Sequence, residues 1–166
     1  MMFLIFLGSV RDSTPPRPAR LGHRVALACQ QYLQAAYPDI DTEIIDPLDY
    51  PPEKIFKPHF AYAKGKAPLH WEQLATKIEQ ANGYVMISPE YNHGYSPALK
   101  NALDYVGKEW QGKPAAYIGY GATNGSRSID QIRQVGTQLG LVDSNAVIEI
   151  RDIFSRNKTE EFEPNE

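Results

Sequence analysis

The chain has 166 residues and a mass of 18.7 kDa, 42% of them hydrophobic and 22% charged. That is the size and balance of one globular domain and is too apolar for disorder. Net charge is −3 with a pI near 5.8, which argues against nucleic acid as the main partner, because phosphate binding needs a concentrated basic face. A single cysteine, Cys29, excludes an internal disulfide and any multi-cysteine metal site.

Residues 2–7 are wholly apolar. No basic segment precedes them and they run straight into Arg11 and Asp12, so they read as a strand buried on both faces and not as a secretory leader. Nothing else approaches the ~18 apolar residues of a membrane span. The expected setting is cytoplasmic. Leu21, Val25, Ala28, Cys29, Tyr32, Leu33 and Ala36 then recur mainly at three- and four-residue steps, the apolar face of a helix that Pro38 and Asp39 stop. Residues 42–45 form a short second strand ended by Asp46-Pro47. Trp71, Leu74, Ala75 and Ile78 mark a second helix, with Asn82-Gly83 as its expected C-terminal stop.

Residues 84–87 make a third strand. Ser96 and Pro97 open a third helix, serine as N-cap and proline in the first turn. Its buried face is Ala98, Leu99, Ala102, Leu103 and Val106. Residues 115–120 form a fourth strand, Ile129, Ile132, Val135 and Leu139 a fourth helix ended by Gly140, and residues 146–150 a fifth strand. Strand and helix alternating in this way predict an α/β domain over residues 1–150, a doubly wound five-stranded parallel sheet of order 2-1-3-4-5 with helices on both faces. Residues 151–166 form a polar tail.

In such a sheet ligands bind beyond the carboxyl ends of the strands where strand order reverses, here between strands one and three. The loop after strand one reads GSVRDST. It carries hydroxyls on Ser9, Ser13 and Thr14 and a cation on Arg11, ahead of a helix N-terminus whose free N–H groups and dipole attract an anion. A phosphate suits it; a turn that only caps the helix is the competing reading. The pattern is neither Walker A nor GxGxxG. After strand three comes SPEYNHGYSPALKNALDY, where residues 90–95 offer amides and two aromatic rings to the edge of a flat heterocycle. After strand four comes GYGATNGSRS, rich in glycine and hydroxyls. Three loops converge on a plausible mononucleotide pocket.

The GSVR opening, PEYN running into SPALKNALD, the GKPAAYIGYG strand and the following GSRS resemble the NADPH-dependent FMN reductase family, flavodoxin-like enzymes that include quinone, azo and chromate reductases. The resemblance implies non-covalent FMN, with Ser9, Arg11 and Ser13 near its phosphate. Pro89, Glu90, Tyr91 and Asn92 then lie along the isoalloxazine ring, with His93 in the same pocket, either touching the ring or facing solvent. Gly121, Gly125 and Ser126 close the far edge. It further implies NADPH or NADH as hydride donor, ping-pong transfer to a small-molecule quinone, azo, flavin or metal-ion acceptor, and a homodimer or homotetramer. No general acid or base is required, since the cofactor carries the chemistry.

Two features depart from the family: the prolines at 15, 16 and 18, and a C-terminal stretch with too little apolar periodicity for a fifth helix. Residues 46–68 depart from the strand–helix alternation itself, with five prolines (47, 51, 52, 58, 68) among Tyr50, Phe56, Phe60 and Tyr62. A connection that long is a lid, a binding loop, an interface or a packed surface segment. Its aromatic load, with Tyr105 and Trp110, predicts apolar surface that must be covered. His23, His59, His70 and His93 lack metal-ligand spacing, no G-x-S-x-G elbow marks a hydrolase, and Cys29 reads as a core residue. The alternatives are an electron carrier serving protein partners without NAD(P)H, and a flavin-free interaction module.

Overall fold

Strand β1 (Met2–Leu7), helix α1 (Leu21–Ala36), β2 (Asp41–Ile45), α2 (Leu69–Gln80), β3 (Gly83–Pro89), α3 (Pro97–Tyr105), β4 (Pro114–Tyr120), α4 (Ser126–Leu139) and β5 (Val142–Ile150) follow in chain order. The structure, a computed structural model, describes residues 1–11 and 20–153. The strands pair in parallel in the order β2-β1-β3-β4-β5, as the sequence predicts.

Register decides which side chains share a face, because successive residues of a strand point to opposite sides. Phe6 lies beside Ile45 and Met86, and Met86 beside Tyr117. This face packs against Trp71, Leu74 and Ile78 of α2, Leu99 and Leu103 of α3, and Ile129 and Ile132 of α4. Ile87 lies beside Leu7 and Ile118 on the other face, which Val25 and Ala26 of α1 cover together with Ile153. Among the described residues three helices therefore cover one side and one helix the other. At the less covered side Ile148 of β5 is 57% exposed although its neighbour Ile118 is 5% exposed. Cys29 packs at the margin of this second core, and burial pushes its thiol up to about 11.

The helix ends follow local chemistry. Ser96 Oγ accepts the Leu99 N–H at 3.2 Å with Pro97 in the first turn, and Gly140 closes α4 at φ 76°. Asn82-Gly83 behaves differently from expectation. Helix α2 stops at Gln80, the Ala81 N–H turns back to Lys77 and Ile78, and Gly83 opens β3. A Cβ on Gly83 would lie 2.6 Å from the Phe3 ring, so the glycine serves packing between neighbouring strands and not a left-handed cap. Strand β5 begins at Val142 and not at residue 146, because polar Asp143, Ser144 and Asn145 hide it from a hydrophobic pattern. There the register against β4 shifts between Ala115 and Tyr117, with Asn145 at φ 58° and Ser144 Oγ donating to the Ala115 carbonyl at 2.7 Å.

The proline-rich connection 46–68 is a strap across the first core. The Glu53 N–H donates to Tyr105 Oη at 3.0 Å. His59 Nδ1 lies 3.1 Å from the Tyr105 carbonyl oxygen and its Nε2 3.4 Å from Glu109. Beneath the strap Tyr105 stacks on Trp71 at 3.9 Å with planes 4° apart, and Trp110 meets Phe6 and Tyr84 at 5.2 and 5.0 Å. Tyr105 and Trp110 are thus covered by their own chain, a correction to the surface expected of them. Ile55, Phe56 and Phe60 stay exposed.

Trp71 is fully buried, and Trp71→Ala should lower unfolding free energy by about 3–5 kcal/mol in urea titration. Ile55→Ser should change it by less than about 0.5 kcal/mol. Equal losses in the two variants would contradict this layout.

Candidate functional site

The chain leaves β1 for the α1 face and leaves β3 for the α3 face, which opens a crevice between the carboxyl ends of these neighbouring strands. Gly8 makes the exit from β1 possible, because a Cβ there would lie 2.2 Å from the Ile87 carbonyl oxygen. Ser9 follows, 3% exposed. Its Oγ accepts the Arg11 N–H at 3.2 Å and lies 3.1 Å from Tyr91 Oη. Arg11 is exposed at the rim. Ser13, Thr14 and the three prolines lie outside the described residues.

Arg20 stands at the N-cap of α1 but makes no side-chain cap. Its Nη1 donates to the Ser9 carbonyl at 2.7 Å and to Asp46 Oδ1 at 3.0 Å, while Nη2 donates to Asp46 Oδ2. Burial alone would raise the Asp46 pKa, but the Arg20 hydrogen bond, the Leu48 N–H and the Arg20 charge outweigh it and hold the carboxyl below its ordinary value. Under this loop Tyr120 is buried, and desolvation pushes its phenol well up. A Cβ on Gly22 would lie 2.5 Å from the Tyr120 hydroxyl, so α1 starts hard against β4.

Pro89 ends β3 opposite Tyr120, and the Glu90 N–H donates to the Tyr120 carbonyl at 2.8 Å. Tyr91 and Gly94 exchange both backbone hydrogen bonds, at 2.8 and 3.0 Å. Asn92 and His93 between them have φ of 51° and 66°, the two positive values of a type I′ turn. That turn leaves Asn92 and His93 exposed, and Gln131 of α4 donates to the His93 carbonyl at 3.0 Å.

The Glu90 side chain turns away from solvent, 5% exposed, toward the loop after β4. Its carboxylate accepts Thr123 Oγ1 and Arg127 Nη1, each at 3.0 Å, and the Arg127 N–H at 3.3 Å. Burial would raise its pKa, but the Arg127 and Thr123 hydrogen bonds bring it below the ordinary value. A Cβ on Gly121 would lie 3.1 Å from Glu90 Cβ. Gly125 turns the chain at φ 79° into Ser126, the half-buried first residue of α4. Glu90 therefore ties two loops together through its side chain, and with its N–H given to Tyr120 it has only its backbone carbonyl left for a ligand.

Ser9 and Tyr91 join the first loop to the second, and Glu90 with Arg127 joins the second to the third. Sequence reasoning missed Arg20, Asp46, Thr123 and Arg127. Asp46 carried one readable signal, a carboxylate at the end of the strand beside the crevice. Hydroxyl, cation and helix N-terminus at one end suit a phosphate. The Asn92 and His93 N–H groups at the tip of the turn and the backbone amides of residues 121–125 at the other end suit the polar rim of a heterocycle. Among the described residues no group of three His, Cys, Asp or Glu could hold a metal, and no helix is long and apolar enough to cross a membrane.

The sequence pattern of the NADPH-dependent FMN reductase family matches residues 1–151. The chain belongs to that family. It is 43% identical over 88 residues to an NAD(P)H-dependent FMN reductase of Saccharomyces cerevisiae, covering 52% of this chain and 44% of that one. It is 41% identical over 81 residues to an NADPH:quinone oxidoreductase of Arabidopsis thaliana, covering 46% and 41%. The matched part spans less than half the length of these two curated relatives. Among solved structures the flavoenzyme NAD(P)H:(acceptor) oxidoreductase of Paracoccus denitrificans superposes with a TM-score of 0.63 at 23% identity, over 86% of this chain and 74% of that one. A flavodoxin of Pseudomonas aeruginosa superposes at 0.57 and 14% identity, over 92% and 85%. These two likenesses show a flavodoxin-like fold.

Asp46 and Glu90 have lowered pKa values in the folded state, so their ion pairs contribute fully above about pH 4 and are lost as pH falls through the lowered values. Urea titrations from pH 6 to pH 3 should show stability falling below about pH 4. The fall should be shallower in Glu90→Gln. An unchanged slope in that variant would contradict the pairing.

Proposed function

We propose that the protein is an FMN-dependent NAD(P)H oxidoreductase that reduces small-molecule acceptors of the quinone, azo, flavin or metal-ion kind. The observation that carries this is the 3.1 Å contact of Ser9 Oγ with Tyr91 Oη, which brings the hydroxyl-and-cation loop and the aromatic hairpin together at the strand-order switch. Family membership and relatives described as FMN and quinone reductases support it.

The residues present fit FMN. Ser9 and Arg11, with Ser13 outside the described residues, would hold the phosphate beside the first turn of α1, which carries no acidic residue of its own. Pro89, Glu90, Tyr91 and Asn92 would line the ring, Glu90 through its backbone, with His93 at the exposed tip of the turn. Gly121, Gly125 and Ser126 would close the other edge. When bound, FMN supplies the acceptance of hydride from NAD(P)H and its passage as electrons to the acceptor. The protein's share is to bind, orient and polarise: the N–H groups of Asn92 and His93 and of residues 122–125 are the donors offered to negative charge developing on a ring, since those of Glu90, Tyr91 and Gly94 already donate to Tyr120, Gly94 and Tyr91. No side chain is assigned as proton donor.

A cytoplasmic setting and a homodimer or homotetramer complete the proposal. Exposed Ile55, Phe56 and Phe60 on the strap and Ile148 on β5 are the apolar surface that assembly would cover.

The test is an absorbance spectrum of the purified protein with FMN, before and after anaerobic NADPH. Flavin bands that bleach on NADPH addition, and return when a quinone is added, are expected. Bands that bleach with neither NADPH nor NADH would point to an electron carrier, and failure to bind FMN in excess would overturn the flavin site.

A further inference from the structure

Arg20 and Asp46 lie outside the three loops assigned to the ligand, yet they meet at the main chain of the first. The guanidinium is shared between the Ser9 carbonyl and both Asp46 oxygens. Both side chains are largely withdrawn from solvent, 13% and 22% exposed. Asp46 Oδ1 also accepts the Leu48 N–H at 2.9 Å and so caps the turn Pro47–Asp49. The pair therefore connects the end of β2, the start of α1 and the exit from β1.

A two-pronged guanidinium–carboxylate pair is charge-assisted and fixed in direction, unlike a lysine contact. Its hold on the Ser9 carbonyl has a geometric consequence. The peptide unit is planar and trans, so a carbonyl fixed toward Arg20 fixes the Val10 N–H in the opposite direction. The same peptide carries the Ser9 side chain, whose hydroxyl already meets Tyr91 and the Arg11 N–H. Asp46 meanwhile neutralises Arg20, so Arg20 acts on an incoming anion through the shape of the loop more than through free charge.

We propose that Arg20 and Asp46 are positioning residues for the flavin phosphate: held together, they set the Ser9–Val10 peptide in the arrangement that receives the 5′-phosphate. This rests on the flavin reading above and extends it to residues that make no contact with the ligand. Removing either partner releases the same carbonyl. The two losses should therefore overlap instead of adding.

The test is titration of the purified protein with FMN and with riboflavin, which lacks the phosphate, in wild type, Asp46→Asn, Arg20→Lys and the double variant. Each single variant should bind FMN about tenfold more weakly, the size of one charge-assisted hydrogen bond. Riboflavin affinity should stay as in wild type, and the double variant should be no worse than the weaker single one. Arg20→Lys keeps the charge and loses the fork, so it carries the test should Asp46→Asn not fold. Equal loss of FMN and riboflavin would mean general loosening and overturn the proposal. FMN binding that is unchanged or tighter in Asp46→Asn would also overturn it, because Asp46 would then only compete with phosphate for Arg20. A wild type that binds neither flavin would bring down the flavin reading itself, an outcome distinct from variants that keep the wild-type preference.

Discussion

Gly8 lies so close to the Ile87 carbonyl oxygen that a Cβ would sit 2.2 Å away, and the crevice depends on that approach. With a side chain there, the chain leaving β1 would be pushed away from β3. The Ser9 hydroxyl could then no longer reach Tyr91 at 3.1 Å. Gly22 repeats the device one step later, where α1 presses on the Tyr120 hydroxyl, and Gly121 and Gly125 do so in the loop after β4. Four glycines let three loops and a helix start converge on a volume that ordinary side chains would fill.

On this frame the polar groups join neighbouring loops. Arg20 and Asp46 join the exit of β1 to the end of β2, and Glu90 with Thr123 and Arg127 joins the hairpin after β3 to the loop after β4. Both carboxylates are held ionised by partners that more than offset their burial. Loops tied to one another in this way have less to order when a ligand binds, which lowers the cost of binding. The aromatic stack of Trp71 and Tyr105 plays the supporting part on the α2–α3 side, with the strap 46–68 fastened over it through Glu53 and His59.

Much of this was legible in the sequence because it rests on local rules. Buried strands read as apolar runs, Ser96-Pro97 reads as a helix start and Gly140 as a helix stop. The alternation of elements then implies the strand order and hence the crevice. What escaped reading was of two kinds. Polar Asp143, Ser144 and Asn145 belong to an edge strand with an irregular register, which hydrophobic periodicity does not mark. Arg20 with Asp46 and Glu90 with Arg127 are pairs separated by 26 and 37 positions, and nothing local announces a partner so far along the chain. The family resemblance sets Glu90 at the ring, yet its side chain is committed to Arg127. Tyr105 and Trp110 read as surface in need of a partner, but the strap covers Tyr105, and Trp110 is buried against Phe6 and Tyr84.

In the proposed arrangement the crevice between β1 and β3 holds a flavin mononucleotide, phosphate toward Ser9 and the start of α1, ring between the 89–94 hairpin and the loop 121–126. A crystal structure of the protein grown with FMN tests it most directly. Phosphate density within hydrogen-bonding distance of Ser9 and ring density against Tyr91 and Gly121 are expected. Flavin bound elsewhere on the protein, or seated in the crevice with its phosphate at the hairpin end, would contradict it.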